Sequence, residues 1–305
     1  MHESDNPVDQ LVHLYVDGAI SRRDLVRRVA KHTGSVTAAI AALAGFEDLR
    51  AQTAPQACPA GVSVPADAPD LITADVTFAS DDGARLMGYQ AWPRNASAPM
   101  PGVIVVHENR GLVEHIRDVT RRVARAGFVG VAVDLLSRQG GVGQFPDPTQ
   151  QAQAYGRTTV GERRMDLVGT LAYIKTTPMV QFDRIGMVGF CAGGGNVWDF
   201  VVNVDELKAA VPFYGTPTPA VEDVQRITAP VLAIYAERDR ALTMRLLPVA
   251  NAMLQMQKIM GMFVYEGVGH AFHNDTGPNY DAAAACDAWA RTIAFFNRYL
   301  RAPRA

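Results

Sequence analysis

The chain has 305 residues, of which 48% are hydrophobic, and its 29 basic and 31 acidic side chains leave a net charge of −2 at pH 7. A chain of this length buries about 75% of its unfolded surface in a globular core. The balanced charge excludes a strong attraction to nucleic acid or to an anionic membrane, and no apolar run approaches the roughly 20 residues of a membrane span.

The chain has three cysteines, Cys58, Cys191 and Cys286. An odd and low number of cysteines is not typical of a disulfide framework, and it favours a reducing compartment. We therefore predict a cytoplasmic location, with no nucleic-acid partner.

Residues 1–50 predict a small extension of short helices. The stretch SRRDLVRRVAKH begins at Ser21 and has Asp24 three residues later, which is the spacing of a capping box. Paired arginines before an Ala-rich stretch are also typical of a twin-arginine export signal, so export is the alternative location. We favour a retained extension that packs on the main domain or joins two copies of the chain, because the apolar stretch is short. Residues 51–70, rich in alanine and proline, predict an extended linker.

From residue 71 to residue 305, apolar segments of strand length alternate with amphipathic segments of helix length. A β-hairpin with Asp82-Gly83 at its turn opens this domain. Predicted strands follow at 102–108, 128–136, 184–190, 207–215, 230–239 and 262–266. Predicted helices lie at 115–127, 162–177, 193–203, 243–257 and 281–300. The alternation predicts an α/β fold with a doubly wound, mostly parallel sheet, whose ligands bind at the carboxyl ends of the strands.

Cys191 lies in the segment VGFCAGGG, directly after one predicted strand and directly before a predicted helix. The glycines at 189 and 193–195 allow a sharp turn and a close approach of the helix. This arrangement is the nucleophile-elbow pattern, here with cysteine in place of serine. The helix N-terminus favours negative charge on a thiolate or on an oxyanion. We predict that Cys191 is a nucleophile, and the alternative is a buried cysteine that only packs.

A cysteine nucleophile needs a base and a group that orients the base. After Cys191 the chain has two histidines, His270 and His273. His270 follows the last predicted strand through the loop GVG, and we predict that it is the base. His273 is then an accessory residue, or a partner of His270 on a metal ion. We predict no metal site, because no third ligand completes a recognisable spacing.

The acid of the site is expected after the preceding predicted strand, in the segment YAERDRA. This segment contains two carboxylates, Glu237 and Asp239. We favour Asp239, because the loop must leave the strand before a side chain can reach back to His270. A solvent-exposed carboxylate without a catalytic role is the alternative for either residue.

Two backbone N–H groups are expected to stabilise a tetrahedral oxyanion. One belongs to Ala192, the residue after the nucleophile, and the other to Asn109, in the turn HENRG. The same turn carries Glu108, which is placed to hold or receive the thiol proton. The alternative for Glu108 is a buried carboxylate that is paired with an arginine.

The motifs HENRG, GFCAGG, AERD and GVGHAF, in this order and on these elements, resemble the dienelactone hydrolase family of the α/β-hydrolase fold. The resemblance implies a carboxymethylenebutenolidase-like hydrolase without a cofactor, with a triad of Cys191, Asp239 and His270. It also implies that Glu108 communicates with the thiol, and that the amides of Asn109 and Ala192 hold the oxyanion. It extends over residues 71–300.

Family members that act on cyclic dienelactones use arginines to hold the substrate carboxylate, and here the sequence departs from the family pattern. Gln151 and Asn274 stand at the two arginine positions. We therefore expect a preference for neutral esters or lactones. The glycine-rich loop 137–155 is expected to border the pocket. The candidate substrate-binding residues are Arg110, Arg138, Tyr155 and Tyr214.

Together these features predict a cofactor-independent hydrolase of carboxylic esters or lactones that acts through a thioester. One alternative is another acyl hydrolase on the same triad, a thioesterase or a peptidase. A second is a non-catalytic α/β-hydrolase scaffold that binds a ligand or protein. The predicted partner is a small-molecule ester or lactone, and a homo-oligomer formed through the N-terminal helices is left open.

Overall fold

The computed structural model describes residues 63–301 of the chain. This part contains eight strands and six α-helices. The strands are β1 (Leu71–Ala79), β2 (Arg85–Pro93), β3 (Met100–Val106), β4 (Val129–Val133), β5 (Val180–Phe190), β6 (Ala209–Phe213), β7 (Val231–Ala236) and β8 (Met260–Tyr265). The helices are α1 (Glu114–Arg125), α2 (Pro148–Gly156), α3 (Val160–Thr176), α4 (Ala192–Asn203), α5 (Arg240–Gln255) and α6 (Ala282–Leu300). The predicted N-terminal extension, its role in an oligomer and most of the predicted linker lie outside the described residues.

The strands form one sheet in the order β1-β2-β4-β3-β5-β6-β7-β8. β1 and β2 pair antiparallel, β2 joins β4 antiparallel, and the six strands from β4 to β8 in this order run parallel. The predicted hairpin and the predicted mostly parallel sheet are therefore confirmed. Because the carboxyl ends of parallel strands meet at one edge, the segments that follow β3, β5, β7 and β8 all leave the sheet at that edge.

The central strands are buried on both faces, as their unbroken apolar sequences predict. Along β3, Val103 and Val105 point to one apolar core, which α1 and α6 cover. Ile104 and Val106 point to the opposite core, which α3 and α4 cover. Successive residues of one strand thus fill two cores, and the strand ends that carry the candidate site are held from both sides.

The predicted glycine-rich loop 137–155 contains a helix that the sequence analysis did not predict. α2 begins at Pro148, and the carboxylate of Asp147 accepts the N–H groups of Thr149 and Gln150 at 2.9 and 3.0 Å. An N-cap aspartate followed by proline is a recognised start of a helix, so the segment DPTQ does indicate a helix that begins at Pro148. The nearby glycines obscured it.

The described residues bear on two expectations about the environment of the protein. Cys286, on α6, is disulfide-bonded, whereas Cys191 is a free thiol. One disulfide-bonded cysteine is not a disulfide framework, but it removes the argument for a reducing compartment that rested on the number of cysteines. Cys58 lies outside the described residues. Within residues 63–301, no helix is long and apolar enough to cross a membrane.

His273 is fully buried among aromatic rings. Its ring centroid lies 5.0 Å from that of Phe190, 5.2 Å from that of Phe213 and 5.6 Å from that of Trp289. Neither of its ring nitrogens has a hydrogen-bond partner among the described residues. Burial, and after it the positive charge of Arg122, lowers the pKa of His273 well below its ordinary value.

This buried histidine makes the stability of the protein sensitive to acid. The folded protein keeps His273 neutral, whereas the unfolded chain binds a proton there below a pH of about 6.5, so stability falls as the pH drops through that value. Between pH 7 and pH 5, we expect wild-type protein to lose about 2 kcal/mol more of its free energy of unfolding than His273→Phe. Urea unfolding at both pH values measures the difference. Equal losses in the two proteins would contradict the prediction.

Candidate active site

The chain passes from β5 to α4 through a single residue, Cys191. Its backbone has φ 53° and ψ −118°, a conformation that a residue with a side chain adopts only under strain. A Cβ atom on Gly189 would collide with the carbonyl group of Gly193, and one on Gly193 with the carbonyl oxygen of His107. The Cys191 N–H donates to the carbonyl oxygen of Phe213 at 3.1 Å, which ties the turn to β6. The turn therefore places the thiol at the carboxyl edge of the sheet.

The Cys191 thiol is half-buried, and in the resting protein it is protonated. Burial, and after it the negative charge of Glu108, raises the pKa of Cys191 to about 11. The Ala192 N–H and the charge of Arg110 act in the opposite direction but do not outweigh these causes. The helix N-terminus alone would favour a thiolate, so burial and Glu108 overcome the effect that the sequence indicates. Attack by this thiol therefore needs a proton acceptor.

His270 lies in the loop that follows β8, and its imidazole is oriented by a carboxylate. The Nδ1–H of His270 donates to Oδ2 of Asp239, the residue that precedes α5. This bond leaves Nε2 as the nitrogen that can accept a proton. The other candidate acid, Glu237, is exposed and accepts the N–H of Gly267 at 2.8 Å. The structure thus brings Asp239, and not Glu237, to His270.

The structure offers no arrangement that would hold a metal ion at this site. Within residues 63–301, no three side chains of His, Cys, Asp or Glu come together in a way that could bind one. His270 is bonded to one carboxylate, and His273 is enclosed by aromatic rings.

Asn109 and Ala192, the expected oxyanion donors, follow neighbouring strands. β3 pairs with β5, and Val106 at the end of β3 lies opposite Gly189. The turn after β3 and the start of α4 are therefore side by side at the same edge. Ala192 is the first residue of α4, so its N–H has no partner inside the helix.

His107 supports the turn after β3, a role that the sequence analysis did not assign to it. Its Nδ1–H donates to the carbonyl oxygen of Glu108, and its Nε2 accepts the N–H of Leu135 at 2.9 Å. The ring is therefore neutral, and burial lowers the pKa of His107. The only signal in the sequence was a histidine at the end of an apolar strand, which is compatible with many roles.

The carboxylate of Glu108 is buried and is bonded to an amide rather than to an arginine. Its Oε2 accepts a hydrogen bond from Nδ2 of Asn274 at 2.8 Å. Its Oε1 has no hydrogen-bond partner among the described residues. The pairing with an arginine that the sequence analysis left open is not what the structure shows.

The two candidate substrate arginines differ in what surrounds them. Arg110 is half-buried and makes no hydrogen bond or ion pair with any residue between 63 and 301, and its charge acts on Cys191. Arg138 donates through its guanidinium group to the carboxylates of Asp82 and Asp166. These bonds hold Arg138 in an ion-pair cluster, so its guanidinium group is already occupied and Arg138 is not among the proposed binding residues.

Tyr155 and Tyr214 are both buried and both lie within electrostatic reach of the thiol. Burial raises the pKa of both hydroxyl groups, and the charge of Glu108 adds to this effect on Tyr214. The Tyr214 ring centroid lies 5.0 Å from that of His270, and the Tyr155 hydroxyl accepts Nδ2 of Asn196 at 2.9 Å. Both tyrosines therefore remain candidates for walls of the site.

This chain is similar to known proteins of one family. The model of the dienelactone hydrolase family matches residues 86–300. A protein named "Putative carboxymethylenebutenolidase" from Escherichia coli (strain K12) is 32% identical over 263 residues, which cover 81% of this chain and 94% of the relative. The crystal structure of "Putative Dienelactone Hydrolase" from Klebsiella pneumoniae subsp. pneumoniae MGH 78578 has a TM-score of 0.69 and 29% identity, and it covers 75% of this chain and 99% of that one. Protein usf from Aquifex pyrophilus is 33% identical over 230 residues, 72% of this chain and 96% of that protein.

Proposed function

Since this chain belongs to the dienelactone hydrolase family, we propose that it hydrolyses carboxylic esters or lactones with Cys191 as the nucleophile. One observation supports this most strongly. The strained cysteine turn and the hydrogen-bonded pair of His270 and Asp239 lie at the same edge of the sheet. Nucleophile, base and oxyanion donors are all protein groups, so the proposed reaction uses no cofactor.

The first half of the proposed reaction forms a thioester. Nε2 of His270 accepts the thiol proton while Sγ of Cys191 attacks the carbonyl carbon of the substrate. Asp239 stabilises the resulting imidazolium, and the N–H groups of Asn109 and Ala192 bind the oxyanion. The imidazolium then returns the proton to the leaving alkoxide as the C–O bond breaks. In a lactone, this alkoxide stays attached to the acyl group.

The second half of the reaction releases the acid. A water molecule gives a proton to Nε2 of His270 and attacks the thioester carbonyl, and the same two amides hold the second oxyanion. The C–S bond then breaks, and His270 returns the proton to the departing sulfur, so Cys191 becomes a neutral thiol again. Because the resting pKa of Cys191 is about 11, each cycle begins and ends with this protonated thiol.

The charges around the thiol favour a neutral substrate. Glu108 and Asp239 contribute two carboxylates, and Arg110 contributes one unpaired cation. Gln151, at one of the positions where the family resemblance implies an arginine, donates its side-chain amide to the backbone of its own loop. A substrate carboxylate would therefore meet net negative charge, with Arg110 as its only partner near the thiol among the described residues.

Removal of the nucleophile tests the proposed function. We expect Cys191→Ala to fold normally, because only a sulfur atom at a turn is lost, and to show no hydrolysis of p-nitrophenyl acetate above background. Wild-type protein is expected to release a burst of p-nitrophenol, and iodoacetamide is expected to abolish that burst. Near-native turnover by folded Cys191→Ala would refute the triad. A wild-type protein without any turnover on a panel of esters and lactones would favour the non-catalytic scaffold.

Two neighbouring carboxylates provide a matched test of the acid. Asp239→Asn cannot hold His270 in the tautomer that leaves Nε2 free, so we expect kcat to fall by about 10⁴-fold, as in other triads. Glu237→Gln changes an exposed side chain that bonds only to a backbone N–H, and we expect kcat within about twofold of wild type. Steady-state kinetics on one activated ester measure both. A larger loss in Glu237→Gln than in Asp239→Asn would show that the assignment is wrong.

Arg110 provides a test of substrate charge. We expect kcat/KM for a neutral activated ester to exceed that for a dienelactone of similar size. We expect Arg110→Gln to lower kcat/KM for the dienelactone by about tenfold, because a charge-assisted hydrogen bond is lost, and to change the neutral ester little. A dienelactone preferred by tenfold in the wild type would overturn the proposed preference, and an equal loss on both substrates would remove Arg110 from substrate binding.

A further inference from the structure

We propose that Asn274 is a positioning residue for the thiol. Its amide, which Thr276 orients, holds the Glu108 carboxylate beside Cys191 and so sets the pH at which the thiol ionises. This inference rests on the proposed function only in taking Cys191 as the reactive group. The position of Asn274 in the loop after β8 does not by itself suggest this role.

The orientation of the Asn274 amide follows from its hydrogen bonds. The side chain is buried, and its Oδ1 accepts two hydrogen bonds from Thr276, from N–H at 3.0 Å and from the hydroxyl at 2.7 Å. Two donors on one atom identify that atom as the oxygen, because an amide NH₂ cannot accept them. The NH₂ end of Asn274 must therefore point the other way, toward Oε2 of Glu108 at 2.8 Å.

The carboxylate that Asn274 holds has no other described partner. Glu108 is buried, and its Oε1 has no hydrogen-bond partner among residues 63–301. Its oxygens are bonded to no cation within that range, so the charge of Glu108 is oriented by a neutral donor and is not neutralised. A carboxylate that is not neutralised disfavours a negative charge on a neighbouring group.

The group beside it is the thiol, because Glu108 and Cys191 follow the ends of the paired strands β3 and β5. Val106 lies opposite Gly189 there, and a Cβ atom on Gly193 would meet the carbonyl oxygen of His107. The charge of Glu108 is also the largest effect of any charged group on Cys191. The titratable and charged groups that act on or lie around the thiol come from several elements and are Glu108, Arg110, Tyr155, Tyr214, Asp239 and His270. Among them Glu108 disfavours the thiolate most. If Asn274 loses its donor, no hydrogen bond from the described residues holds the carboxylate of Glu108 in place, and a carboxylate that turns away from Cys191 repels the thiolate less.

The test measures thiolate formation directly and does not require hydrolysis. The rate of alkylation by iodoacetamide is followed from pH 6 to pH 10 on the peptide that contains Cys191, by mass spectrometry. Each unit by which the pKa of the thiol falls raises the fraction of thiolate tenfold at a pH below that pKa, and the rate rises by a smaller factor because a less basic thiolate is a weaker nucleophile. We expect Glu108→Gln to react fastest, and Asn274→Leu to react at least threefold faster than wild type at pH 8.

A double mutant separates positioning from general damage. If Asn274 acts through Glu108, Asn274→Leu adds nothing to the alkylation rate in the Glu108→Gln background. If Asn274→Leu only loosens the fold, it raises the rate by the same factor in both backgrounds, and the proposal is wrong. An unchanged rate in folded Asn274→Leu also overturns it.

Variants of Thr276 keep the test decisive if Asn274→Leu does not fold. Thr276 is exposed, so substitutions there disturb no core packing. Thr276→Val removes the hydroxyl donor, and we expect faster alkylation of Cys191, in the same direction as Asn274→Leu but smaller. Thr276→Ser keeps the hydroxyl and should restore the wild-type pH profile. Identical profiles for the Val and Ser variants would refute the orienting role of Thr276. Failure of the proposed hydrolysis would instead appear as a lack of ester turnover and would leave these rates unaffected.

Discussion

The close approach of α4 to the ends of β3 and β5 controls the geometry of the candidate site. Gly189 and Gly193 lie against backbone atoms, so neither position can carry a side chain unless the helix moves away. This approach forces Cys191 into its strained conformation and brings the N–H of Ala192 beside the turn that carries Asn109. The positions of the proposed nucleophile and of the proposed oxyanion donors are therefore set by backbone packing, and side chains elsewhere adjust only the chemistry of these groups.

The same packing affects the protonation state of Cys191. The thiol at this sheet edge is half-buried, and the negative charge of Glu108 adds to the effect of burial. The helix N-terminus and Arg110 do not compensate for these two effects, so the resting group is a neutral thiol. A neutral thiol is a weak nucleophile and resists oxidation. In the proposed mechanism, reactivity therefore appears only when His270 removes the proton during attack.

Much of this arrangement could be predicted from the sequence, because the signals were local. Unbroken apolar segments indicated buried parallel strands, and glycines around Cys191 indicated the turn. The choice between Glu237 and Asp239 followed from the length of chain needed to leave a strand. The helix α2 was missed although its cap was visible in DPTQ, because the glycines before it suggested a loop. These outcomes depend on residues close together in the chain.

What the sequence could not supply were partners distant in the chain. Asn274 lies 166 residues from Glu108, and Asp166 lies 28 residues from Arg138. No local pattern indicates that the first pair is an amide on a carboxylate or that the second removes an arginine from the substrate site. The disulfide of Cys286 is a further case, because a small odd number of cysteines argues only against a disulfide framework and does not show whether a single bridge forms.

At both positions where the family resemblance implies a substrate arginine, the side chain instead makes a hydrogen bond inside the protein. Asn274 bonds the buried Glu108, and Gln151 bonds the backbone of its own loop. An arginine at position 274 would neutralise Glu108, and the field on the thiol would weaken. A neutral amide keeps that field and gives up a cation that a substrate carboxylate would need. Under the proposed function, control of the thiol and recognition of an anionic substrate thus compete for one residue, and the amide at position 274 fits a thiol that stays protonated and the proposed neutral substrate.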